Sequence, residues 1–115
     1  MKFILFGYVH REDYLDTYEY MAFPDYDVNQ LHGKILKKFI NKKIDENSGL
    51  TAATIVFSSV HEDLFNIVGH YIANNRINPN NVKVILFTDE HERIDCHYDN
   101  DGYLVGHPLG FFHWS

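Results

Sequence analysis

The chain has 115 residues, a formal charge of −6 and 45% hydrophobic residues. That describes one globular domain, 1–115: too short for two, and too apolar for a disordered chain. A single cysteine, Cys96, excludes an internal disulfide framework, and no apolar run approaches the ~20 residues of a membrane helix.

Met1–Phe6 carries one lysine and a short apolar stretch without a small-residue cleavage site. No signal peptide is expected, and the setting it predicts is cytoplasmic, with no membrane partner. Residues 3–9 (FILFGYV) form a first strand. They do not alternate, which suits a strand covered on both faces. Segment 11–22 is a short helix with Leu15, Tyr18 and Met21 or Ala22 on one face, stopped by Pro24. In a second helix Val28, Leu31, Ile35, Leu36, Phe39, Ile40 and Ile44 recur at helical spacing, with Asp27 as N-cap. Its lysines crowd the C-terminal end, where the macrodipole favours cations.

Residues 53–57 (ATIVF) are a second strand, followed by a helix that opens on a capping box, Ser59 and Glu62. Leu64, Ile67, Val68, Tyr71 and Ile72 form that helix's buried stripe, and Pro79 follows its end. Residues 82–88 (VKVILFT) are a third strand. Residues 93–98 and 103–107 then flank the turn Asp99-Asn100-Asp101-Gly102 as a hairpin. As a calcium loop this turn fails, because its first and last ligands would fall on His97 and Pro108. The aromatic tail 109–115 either covers the chain's own core or pairs two copies into a homodimer.

Helices between strands favour parallel pairing with crossovers of one hand. The expected fold is α/β: a small three-layer sandwich with a short, mostly parallel sheet. Strand 3–9 lies between the other two, and the C-terminal β-hairpin sits at one edge.

Charge is unevenly spread. Segment 11–27 sums to −5 through Glu12, Asp13, Asp16, Glu19, Asp25 and Asp27 against Arg11. Segment 89–101 also sums to −5 through Asp89, Glu90, Glu92, Asp95, Asp99 and Asp101 against Arg93. Five lysines make 34–43 a +5 segment. In parallel sheets, ligands meet the carboxyl ends of the strands. The residues following the three strands are His10–Asp13, Ser58–Asp63 and Thr88–Glu92, so both acidic segments should start from one rim.

Like charges at 4 Å repel by ~1 kcal/mol per pair in water, so a crowded acidic rim calls for a cationic partner. Three readings follow. In the first, the rim is a contact surface for a basic protein, built from Glu12, Asp13, Asp16, Tyr18, Glu19, Tyr20, Asp25, Asp27, Asp89 and Glu90. Tyrosine adds contact area at low entropy cost, and acids steer encounter with a basic groove, including one made for nucleic acid. The bland alternative is a solvated acidic helix whose tyrosines pack on the sheet.

The second reading is a metal-dependent hydrolase or nuclease-like enzyme using His10, His61, Asp89 and His91. His10, Asp89 and His91 would be its ligands, and Glu12 or Glu90 its general base. The sequence contains no His-Glu-x-x-His, Cys-x-x-Cys or Gly-x-Ser-x-Gly, and its eight histidines are scattered. Third, Ser58 and Ser59 at a helix start could cradle an anion, but residues 57–62 lack glycine, and capping explains the same residues. A sensor of small ligands would instead need a pocket at the switch point of the sheet.

Acidic neighbours raise a thiol pKa, so Cys96 is not expected to be a nucleophile. No aromatic residue interleaves with the helical lysines on their face, so direct nucleic-acid binding is not expected, and no cofactor is implied. The sequence therefore favours a non-enzymatic acidic binder, as an inhibitor or regulator of a basic partner.

Overall fold

The computed structural model describes residues 1–17, 20, 22–49 and 53–107. Tyr18, Glu19, Met21 and the aromatic tail from Pro108 onward, all singled out above, lie outside the described residues. In chain order the elements are β1 (Lys2–Tyr8), α1 (Arg11–Leu15), β2 (Asp25–Asp27), α2 (Gly33–Glu46), β3 (Thr54–Ser59), α3 (Asp63–Ala73), a 3-10 turn (Pro79–Asn81), β4 (Val82–Phe87), β5 (Arg93–Tyr98) and β6 (Leu104–Val105). They build a mixed six-stranded sheet in the order β2-β3-β1-β4-β5-β6. The first four strands in that order run parallel, while β5 is antiparallel to β4, and β6 to β5.

β1 lies between β3 and β4, and its unalternating sequence follows from being covered twice. Phe3 and Leu5 belong to a core shared with Leu36 and Ile40 of α2 and with Leu64, Val68 and Ile72 of α3. Ile4, Phe6 and Tyr8 belong to a second core with Val56, Ile85 and Phe87, against which Tyr14 and Tyr20 pack. The path from β1 to β2 crosses this second face. The paths from β2 to β3 and from β3 to β4 return over the first. Opposite directions on opposite faces give all three crossovers the same hand.

Several expectations are corrected. The helix of 28–44 starts only at Gly33, and His32, not Asp27, is its N-cap residue. Asp27 instead ends β2, a strand the sequence did not suggest, paired in register with Ser58. Residues 28–32 are tied down locally: Val28 donates to the Ser58 carbonyl, and Gly33 begins the helix at a φ of +53°. Ile35, placed on the apolar stripe, is 66% exposed. The capping box does not form. Ser59 is buried in β3, its hydroxyl accepts from His61 N–H, and the N-cap residue Glu62 makes no side-chain cap bond. Of the helix expected over 11–22, the described residues form α-helix at Arg11–Leu15.

α3 packs closely on the turn before β6. Gly69 and Gly102 meet backbone to backbone, with Gly102 at φ +85°, so a Cβ on either would collide with the other's carbonyl. The Tyr98 hydroxyl donates to the Phe65 carbonyl at 2.8 Å across the same contact. Among the described residues, no helix is long and apolar enough to cross a membrane.

Candidate functional site

Because β1, β3 and β4 are parallel neighbours, the residues after them emerge on one rim. Thr88 shapes the turn out of β4. Its hydroxyl accepts from Glu90 and Glu92 N–H, and its own N–H donates to the Glu92 carbonyl. That tight turn holds His91 at φ +66°, a left-handed conformation that costs a residue with a Cβ roughly 1–2 kcal/mol.

The strained backbone presents the His91 ring to α1. Its Nδ1 lies 2.8 and 3.0 Å from the two oxygens of Asp13, whose side chain is only 15% exposed. A carboxylate only accepts, so Nδ1 carries the proton. The His10 ring stacks on His91 with centroids 4.6 Å apart, and its Nε2 donates to the Asp89 carbonyl at 3.1 Å. Segments 11–16 and 89–92, 78 positions apart in sequence at their contact, are thus joined on the rim.

Glu12, Asp16, Asp25, Asp27, Asp89 and Glu90 are exposed, while Tyr20 is half-buried against Phe6 and Phe23. Arg11 reaches Asp27 at 4.0 Å. Burial, and then the Asp27 charge, push the Asp25 carboxyl above its ordinary value against the pull of Arg11.

The acidic segment 89–101 does not stay on this rim as a whole. β5 turns back antiparallel, so Asp89, Glu90 and Glu92 remain near the His91 turn, whereas Asp95 sits along β5 against Arg93 and Lys83. Asp99 closes the turn beyond β5, accepting from the N–H groups of Asp101 and Tyr103. Of the basic segment, Lys43 is engaged within the chain, 3.3 Å from Glu46 and over the Tyr26 ring at 4.5 Å.

The proposed enzyme set is split. His10 and His91 come together, but the His61 ring lies tilted beside His32 (5.1 Å), and His32 lies 3.5 Å from Asp63. Asp89 meets His10 through its main-chain carbonyl rather than its carboxylate. Among the described residues, no group of three His, Cys, Asp or Glu side chains could hold a metal ion.

The switch point lies between β3 and β1, whose following segments leave over opposite faces. It is filled by Asn29. The Asn29 amide donates to the Tyr8 hydroxyl at 2.6 Å and its oxygen accepts from Val60 N–H at 2.7 Å, while its main-chain N–H donates to Asp27. Burial raises the Tyr8 hydroxyl pKa even though the Asn29 bond works in the opposite direction.

Sequence reasoning missed Asn29 and the Asp13–His91 pair. The second could have been found, because strand order alone puts the turn after β4 beside the turn after β1. No signal marks Asn29 in advance. Comparison with known proteins finds no matching family model, no matching curated protein and no matching solved structure.

Proposed function

We propose that the chain is a non-enzymatic binding protein that presents its acidic rim to a basic protein partner, as an inhibitor or regulator occupying a groove made for nucleic acid. The observation that carries this reading is the junction of Asp13 with His91, which brings the start of one acidic segment, 11–16, beside the start of the other, 89–92. Exposed Glu12, Asp16, Asp25, Asp27, Asp89 and Glu90 then form one field, which steers a cationic partner more than it stabilises the fold. In this reading the fold is a three-layer sandwich, α1 forming the thinner outer layer and β5 with β6 the edge hairpin. The setting is cytoplasmic, where the lone thiol of Cys96 stays reduced.

The test is affinity capture with the wild-type chain and with a variant carrying Glu12→Lys, Asp16→Lys and Glu90→Lys. A captured basic protein should bind the variant at least about tenfold more weakly, and wild-type binding should weaken as salt is raised. Equal affinity for both chains ends the reading.

One observation favours the enzymatic alternative. Asp13 holds His91 through Nδ1, which leaves Nε2 outside that contact, where it could serve a reaction. Titration calorimetry with Mn²⁺ and Zn²⁺ separates the two: saturable binding lost in His91→Ala supports a metal-assisted hydrolase, and no heat removes it.

A further inference from the structure

Beneath α1, on the sheet face opposite α2 and α3, is a cavity of about 210 Å³. Phe6 of β1 and Val56 of β3 line it from the sheet, and Tyr14, Leu15 and Tyr20 from the covering segment. Tyr14 and Tyr20 both meet Phe6 edge-on, with centroids 5.0 and 5.8 Å away. Among the described residues, the one charged side chain in the lining is Asp25. Among the described residues, Asp25 makes no side-chain hydrogen bond or ion pair, because Arg11 reaches Asp27 instead.

We propose that this cavity binds a small organic ammonium compound with a single-ring apolar body, the ring lying against Phe6 and the ammonium on Asp25. Size fits: apolar cavities of about 150 Å³ already accept benzene, so 210 Å³ holds one ring and a short cationic arm. Chemistry fits as well. Tyrosine rings attract cations to their faces, and the Tyr20 ring already lies 6.0 Å from the Lys83 ammonium. A carboxylate at the mouth of an apolar cavity selects positive over neutral and negative ligands. Partial desolvation of Asp25 supports the match, because burial and the Asp27 charge outweigh the pull of Arg11, and an arriving ammonium adds the missing compensation. Two positions along β3 from Val56, on the same face, the fully buried Ser58 hydroxyl has no hydrogen-bond partner. That leaves polar capacity unspent on the cavity's side of the sheet. The site does not depend on the acidic-rim reading.

The experiment titrates the full chain with benzylamine, benzyl alcohol and benzoate, followed by the methyl NMR signals of Leu15 and Val56. Benzylamine should saturate, benzyl alcohol should bind at least about tenfold more weakly, and benzoate should not bind. Asp25→Asn should reduce benzylamine affinity by about tenfold and leave benzyl alcohol unchanged. Leu15→Trp, at a wall residue 56% exposed, should fill the cavity and abolish both. Equal binding of the amine and the alcohol, full benzylamine binding by Asp25→Asn, or no saturable binding of any probe overturns the proposal. Should Asp25→Asn fail to fold, the comparison of the three probes on the wild-type chain still decides it.

Discussion

Raising the pH should weaken the fold through Cys96. The residue sits in β5 opposite Val84, 5% exposed, inside the core shared with α2 and α3. Burial, reinforced by neighbouring Asp95, pushes its thiol from an ordinary 9.0 up to about 11. The unfolded chain therefore releases this proton near pH 9, while the folded chain keeps it until about pH 11. The stabilisation is fully present below pH 9 and is lost as pH rises through that window. Each pH unit of offset corresponds to about 1.4 kcal/mol, so the loss totals about 2–3 kcal/mol. The assay is urea unfolding of the wild type and of Cys96→Val across the window. Valine keeps an apolar side chain of similar size but cannot titrate. Tyr8 and Tyr71, whose hydroxyls burial also raises, contribute equally to both proteins and cancel; burial raises Tyr98 in both as well, and the smaller part of its shift that Cys96 causes belongs to the difference being measured. The stability difference between the two should shift against the wild type by the stated amount. A difference that does not change with pH would refute the burial of the thiol.

Two further outcomes test the rim and the packing of α3. His91→Ala loses the Asp13 contact and keeps a Cβ at φ +66°, whereas His91→Gly loses the same contact without the strain. The glycine variant should be the more stable by about 1 kcal/mol in chemical denaturation, and equal stabilities would show that the turn is not strained. Gly69→Ala drives a methyl group into the Gly102 carbonyl and should cost about 1–3 kcal/mol, a fall in Tm of roughly 4 °C or more. An unchanged Tm would mean that α3 and the turn before β6 are not in contact.

The central strands were legible because their burial is written into their composition. Residues 3–9, 53–57 and 82–88 correspond to β1, β3 and β4, and the expected central place of β1 is observed. β2 was not legible: Asp25-Tyr26-Asp27 is three residues long, acidic at both ends, and is a strand only because β3 offers it a free edge. Both helix starts were misjudged for one reason. Asp27 and Ser59 have the side chains of good caps, but pairing in the sheet takes them first, and His32 and Glu62 stand at the helix ends instead. At the rim, the sequence indicated which segments emerge together. It did not indicate that a left-handed turn residue would link them, because that position depends on the Thr88 hydroxyl organising the turn.

Among the described residues, the sheet ends in two very short strands. β2 has three residues with an aspartate at each end, and β6 has two. Strands this brief expose few unpaired amide and carbonyl groups, and at β2 a neighbouring copy would also have to approach paired negative charges. The long apolar strands in the middle, which on their own would template stacking of one molecule on the next, are thus fenced from contact on either flank. Two of the aspartates that contribute to this chain's negative charge thus also guard one edge of its sheet.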